Sequence, residues 1–115
     1  MIHPFFTFAF LNIFDKLINA HIRRIQLLLV EDCAEAFGSR IDSQHVGTFS
    51  DIATYSFFGN KTVTTGEGGM VVTQKTELDS KIRHLKCQGL EPGREYWHDV
   101  IGYNYRMTNI CAAIG

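Results

Sequence analysis

Apolar residues recur at Phe10, Ile13, Phe14, Leu17, Ile18, Ile22 and Ile25, the i, i+3, i+4, i+7 spacing of an amphipathic helix, while Lys16, Asn19, Arg23 and Arg24 fall off that stripe. The pattern predicts a helix packed on a core. Leu27-Leu28-Leu29-Val30 then forms a short, wholly apolar run, as expected of a strand buried on both faces of a parallel sheet. It runs into Glu31-Asp32. Open α/β sheets place ligand groups at the carboxyl ends of their strands, so Asp32 becomes a candidate site residue.

From Asp51 to Phe58 the chain is rich in β-branched and aromatic residues and is bounded by Gly47 and Gly59, which predicts a second strand. This run also ends in polar chemistry, at Asn60-Lys61-Thr62. Gly66-Glu67-Gly68-Gly69 reads as a tight turn, and Met70 to Thr73 as a third short strand. Thr76 with Asp79 three residues on resembles a capping box, and Leu78, Ile82 and Leu85 mark the buried stripe of a helix closing near Gly89. The polar and aromatic stretch from there through Arg106 suits a long functional loop better than a hairpin. Thr108 can cap a last helix, Asn109 to Ile114, which is too short to be stable without a continuation or strong tertiary packing. The expectation is that the chain is part of something longer.

With 115 residues the chain has room for one domain and not for a self-contained two-domain enzyme. A net charge of -1 leaves no electrostatic footprint for nucleic acid or an anionic membrane. Small molecules or protein partners are the expectation. Cys33, Cys87 and Cys111 are odd in number and widely spaced, which indicates neither a disulfide framework nor a zinc cluster and points to a reducing cytoplasm. The apolar stretch Phe5 to Phe14 lacks the basic flank and small-residue cleavage site of a secretion signal and is too short to span a bilayer.

Lys61 is the foremost chemical candidate. It follows a strand inside a Gly-bounded loop, where partial desolvation of an ammonium favours a nucleophilic amine. Position alone does not separate this from a solvated surface lysine. A phosphate-binding P-loop would need Gly at 55 and 60, where Tyr55 and Asn60 stand, and Gly66-Glu67-Gly68-Gly69 lacks the spacing of a dinucleotide fingerprint. Cys33 reads as a small buried cysteine, since no neighbouring base can be named. His45, His84 and His98 have no metal-ligand spacing, and no metal site is expected. Tyr96-Trp97-His98 either lines a ligand pocket or packs across its loop.

Four ordered motifs carry a likeness that local physics does not supply. They are Val30-Glu31-Asp32-Cys33-Ala34-Glu35-Ala36-Phe37-Gly38, the stretch from Val46 to Lys61, Thr65-Gly66-Glu67-Gly68-Gly69-Met70, and Gly102-Tyr103-Asn104-Tyr105-Arg106-Met107-Thr108-Asn109. Together they resemble the DegT/DnrJ/EryC1/StrS sugar aminotransferases across residues 29 to 115.

The resemblance implies an α/β fold, the central part of the large domain of a type I, aspartate aminotransferase-like enzyme, with a mixed, mostly parallel sheet and flanking helices. It implies pyridoxal 5'-phosphate as cofactor and a homodimer with active sites at the subunit interface. The implied reaction moves an amino group, with glutamate as expected donor, to a 4-keto-6-deoxy sugar nucleotide. Lys61 matches the lysine that holds the cofactor covalently and then shuttles a proton. Asp32 matches the carboxylate that keeps the pyridine nitrogen protonated, and Ser56 matches a phosphate-binding serine. Asn104 matches the asparagine that reaches the phosphate of the partner subunit's cofactor. Glu35 stands where many relatives carry Gln or His near the cofactor's phenolic oxygen. Lysine at position 61 also favours a transaminase over the related sugar-nucleotide 3-dehydratases, which carry histidine there.

Residues 1–115 are thus expected to be a partial large domain, with residues 1–20 divergent, 29–115 family-like and the small C-terminal domain absent. The alternative expectation is a truncated, catalytically inactive remnant of such an aminotransferase.

Overall fold

A computed structural model of the chain describes residues 17, 18, 20, 21, 24, 25 and 27–115. Among residues 27–115 the elements follow in the order β1 (Val30–Asp32), β2 (Arg40–Ile41), β3 (Gln44–His45), β4 (Ile52–Ser56), β5 (Gly69–Val72), α1 (Thr76–Lys86) and α2 (Asn109–Ile114). Of the first predicted helix, Leu17, Ile18, Ala20, His21 and Arg24 are helical, but Leu17 and Ile25 are exposed rather than packed on a core. Its other positions, including Phe10, Ile13, Phe14 and Ile22, lie outside the described residues, as does the apolar stretch from Phe5 to Phe14.

The larger sheet has the order β1-β4-β5. It is mixed, as an α/β reading requires. β1 pairs with β4 in parallel, Glu31 opposite Ala53 and Asp32 opposite Thr54, whereas β4 and β5 are antiparallel, with Ser56 opposite Gly69. Paired residues share a face and neighbours alternate, so Glu31, Ala53 and Tyr55 line one face and Asp32, Thr54 and Ser56 the other.

Two expectations are corrected here. The apolar run before Asp32 is not a strand buried on both faces: β1 begins only at Val30, and Leu27, Leu28 and Val30 are all exposed. The reason is topological. Among the described residues β1 pairs with β4 alone, and Leu27 and Leu28 precede it, outside the sheet. Nor do Thr76 and Asp79 form a capping box. Lys75 is the N-cap of α1 and makes no side-chain cap bond; the Asp79 N–H instead donates to the Lys75 carbonyl at 3.0 Å. The acids Glu77 and Asp79 still sit in the first turn, where they complement the helix dipole.

β2 and β3 form a small antiparallel hairpin with no counterpart in the sequence reading. Its two turn residues, Asp42 and Ser43, both take positive φ, the geometry of a type I′ turn normally signalled by Asn-Gly or Asp-Gly. The expected buried stripe of α1 is only half-buried at Leu78, Ile82 and Leu85, since no residue of that helix is fully covered among the described residues. Other expectations fare better. Thr108 caps α2, its side chain accepting from the Cys111 N–H, and Gly66 and Gly68 take the positive φ of a tight turn. Cys33, Ile41, Ala53 and Thr65 are buried and mark the core around β4. Among the described residues no helix is long and apolar enough to cross a membrane.

Candidate functional site

The site residues gather where β1 and β4 end. Asp32 closes β1, and its Oδ1 accepts the Ala34 N–H at 3.1 Å, turning the chain into the loop that carries Glu35. The Ala36 N–H donates to the Cys33 carbonyl at 3.0 Å and completes this turn. Ser56 closes β4, and its hydroxyl accepts the Phe58 N–H at 3.3 Å. Beyond it the chain doubles back: the Phe57 N–H meets the Gly68 carbonyl at 2.9 Å and the Thr65 N–H meets the Phe57 carbonyl at 3.0 Å. Lys61 lies on the resulting loop, its N–H donating to the Phe58 carbonyl at 3.0 Å.

This geometry brings Lys61 onto the loop that starts at Asp32. The Lys61 ammonium donates to Glu35 Oε1, a contact across 26 residues of sequence. The lysine side chain is only 15% exposed, against 78% for that of Glu35. Lys61 is therefore a half-sequestered amine tied to a carboxylate and not a solvated surface lysine. An exposed acid paired this way contributes modestly to stability, and the pair does more to orient Nζ than to hold the fold together.

Behind the site the sheet is sealed. Glu31, to which the sequence reading gave no role, accepts three backbone N–H groups: Gly47 at 2.9 Å on Oε1, and Phe49 at 3.0 Å and Ser50 at 2.9 Å on Oε2. The Tyr55 hydroxyl donates to the Val46 carbonyl at 2.5 Å, and the Phe37 ring meets Tyr55 and Phe57 edge-on, at 5.6 and 5.9 Å. Strand alternation could have separated the two adjacent acids, since Glu31 and Asp32 must face opposite ways. Cys33, 1% exposed, fits the small buried residue expected of it. Burial first, then the charges of Glu31 and Asp32, push its thiol above the ordinary cysteine range. Burial also raises the Tyr55 phenol, reinforced by Cys33 and Glu31.

Asn104 stands apart from this group. It bridges backbone to backbone with Cys87 and lines an open cleft with Gln88, His98, Asp99, Val100, Ile101 and Gly102. The loop around that cleft is well tied. Glu91 N–H donates to the Trp97 carbonyl and Asp99 N–H to the Gly89 carbonyl, which pinches the predicted open loop into a hairpin-like neck. His84 Nε2 lies 2.6 Å from Asp99 Oδ1, His98 Nδ1 donates to the Gln88 carbonyl at 2.7 Å, and the Arg94 guanidinium covers the Trp97 ring at 4.4 Å. Trp97 and His98 therefore pack across their loop, and His98 also lines the cleft; Tyr96 remains 90% exposed. No cluster of three metal-ligating side chains occurs among the described residues.

Comparison with known proteins follows the same outline. Residues 16–115 match the family described as DegT/DnrJ/EryC1/StrS aminotransferases. A GDP-perosamine synthase of Escherichia coli O157:H7 is 68% identical over 89 residues, which are 77% of this chain and 24% of that protein. The enzyme of the same name from Vibrio cholerae is 58% identical over the same shares of both chains. The chain thus spans 24% of the length of these relatives. Among solved structures, an aminotransferase from Psychrobacter cryohalolentis superposes with a TM-score of 0.78 at 33% identity, covering 87% of this chain and 28% of its own. A Helicobacter pylori aminotransferase involved in the biosynthesis of pseudoaminic acid gives 0.81 at 28% identity over the same shares.

Proposed function

Because the chain belongs to the DegT/DnrJ/EryC1/StrS aminotransferase family, we propose that it carries the lysine and aspartate of a pyridoxal-phosphate site that aminates a 4-keto-6-deoxy sugar nucleotide, with glutamate as donor. The names of the GDP-perosamine synthases favour a GDP-linked sugar. The observation that carries the reading is the Lys61–Glu35 contact at the carboxyl ends of β1 and β4, which sets the amine beside the loop opened by Asp32.

The residues present suit the cofactor. Asp32 has one oxygen on the Ala34 N–H and a second with no hydrogen bond among the described residues, as a partner for a protonated ring nitrogen requires. Lys61 offers a shielded primary amine, and Ser56 a hydroxyl at a strand end for phosphate. Pyridoxal phosphate, when bound, supplies a carbonyl carbon that takes up the amino group and a ring that accepts the electron pair freed at the substrate carbon.

Asp32 would hold the proton on the ring nitrogen of the bound cofactor and so keep that electron sink. Lys61 Nζ would hold the cofactor and, when free, would move a proton between the substrate carbon and the cofactor side. Glu35 holds Nζ at the Asp32 loop between these tasks. Asn104, on the cleft beside Cys87 and Gly102, serves the phosphate of a second subunit in a cytoplasmic homodimer. Residues 29–115 form the central part of a type I large domain.

Borohydride trapping tests the site. The chain incubated with pyridoxal phosphate and reduced is expected to carry a weak pyridoxyl label on Lys61, read by peptide mass spectrometry, and none in Lys61→Ala. A label of equal yield in that variant sinks the assignment. A second reading, a catalytically inactive remnant, is favoured by the exposed Leu27 and Leu28 just before the strand that bears Asp32 and the exposed Val30 on it. Both readings expect no turnover of a keto-sugar nucleotide by these 115 residues alone; measurable amination would overturn that shared expectation and exclude the remnant outright.

A further inference from the structure

Glu31 and Asp32 are neighbours on a three-residue strand, and alternation assigns them to opposite faces. Among the described residues it pairs with β4 alone, through a short parallel ladder of three residue pairs that by itself restrains its rotation weakly. Glu31 supplies what the ladder lacks. Its two carboxylate oxygens take the N–H groups of Gly47, Phe49 and Ser50 at 2.9, 3.0 and 2.9 Å. Hydrogen bonds to an ionised acceptor are roughly twice as strong as neutral ones.

The loop they grip is itself fixed. Tyr55, on the central strand, donates to the Val46 carbonyl, and Gly47 has φ +90° at a place where a side chain would run into the Tyr55 hydroxyl. The clamp therefore joins β1 to β4 through side chains on the closed face. We infer that Glu31 is a positioning residue for Asp32: by locking β1 from behind, it holds the Asp32 carboxylate on the open face, at the start of the loop that reaches Lys61. The importance of this for chemistry rests on the function proposed above, while the clamp itself does not.

Glutamine cannot replace Glu31. It keeps the volume but offers one acceptor oxygen, and its amide N–H₂ would confront backbone donors. The sign of the effect is thereby set by charge and acceptor count and not by packing.

Native-state hydrogen exchange on the whole chain decides the matter. The reporter is the Ala34 amide, which is capped by Asp32 and lies on a different loop from the clamp. In the unaltered chain, the amides of Ala34, Gly47, Phe49 and Ser50 are expected to open together as one unit. In Glu31→Gln, all four should exchange at least about tenfold faster, the free energy of one lost hydrogen bond, with the β4–β5 amides unchanged and the Asp32 carboxyl carbon resonance shifted. Ala34 exchanging at its usual rate in the folded variant overturns the proposal. Should the variant not fold, the unaltered chain still decides: Ala34 opening independently of residues 47, 49 and 50 overturns it equally. If the amides behave as expected while Lys61 takes no pyridoxyl label, the clamp stands and the cofactor reading falls.

Discussion

Residues 30–72 and residues 88–115 carry comparable numbers of apolar and aromatic side chains but are held by different forces. In the first region the strands, the Glu31 clamp and the Tyr55 hydroxyl surround the buried Cys33, Ile41, Ala53 and Thr65. In the second no side chain is buried to that degree, and Tyr96, Ile101, Tyr105 and Ile110 are between 74% and 90% exposed. Its order comes from pairs and backbone bonds: His84 with Asp99, Arg94 over Trp97, and the Thr108 cap. Exposed pairs of this kind contribute less than about 1 kcal/mol each. The difference teaches that the lysine–aspartate corner is positioned by contacts inside the chain, whereas the Asn104 segment displays its apolar residues outward.

The comparison can be broken most directly with two glycines of like backbone. Gly47 has φ +90° against the Tyr55 hydroxyl, and Gly93 has φ +82° with open space around it. Gly47→Ala is expected to cost about 3 kcal/mol from strain and overpacking, and Gly93→Ala about 1 kcal/mol from the left-handed backbone alone. Equal losses in urea unfolding would erase the distinction between the regions.

A second test uses pH. The folded-state pKa values of Cys33 and Tyr55 both lie above their unfolded values because burial disfavours the charged forms. Below the ordinary thiol range, near 8.5, this stability is fully present; it is lost as pH rises through the raised folded values. An alkaline decline is expected, and Cys33→Ala should flatten its first part. An identical alkaline limb in that variant would remove the thiol from the account.

The smallest effect belongs to the outward residues. Tyr96→Ser and Ile101→Ser should each shift the stability of this chain by no more than about 0.5 kcal/mol, measured by the same unfolding transition. A loss above about 1 kcal/mol would show that these side chains are packed after all and that the two regions do not differ in kind.

Much of the fold was legible locally. The Asp51–Phe58 run announced β4 because β-branched and aromatic residues suit a half-buried pleat, and Thr108 announced α2 because its hydroxyl can reach the Cys111 N–H. The β2–β3 hairpin stayed hidden because Asp-Ser is not the usual type I′ dipeptide. Thr76 misled because the chain enters α1 one residue earlier, at Lys75. The run from Leu27 to Val30 misled for a different reason: apolarity reports what can be buried, while strand order decides what is.

What the sequence determined by itself is the set of groups and their order: an aspartate after one strand, a lysine after the next, a glycine turn, and the motifs that mark the family. What only the tertiary structure decided is which of two adjacent acids faces the open side, and that Lys61 meets Glu35 across 26 residues. The physical reason is register. Alternation along a strand is local and can be read from the chain, but the pairing of Asp32 with Thr54, and the loop that Glu31 grips, exist only once distant segments are placed side by side.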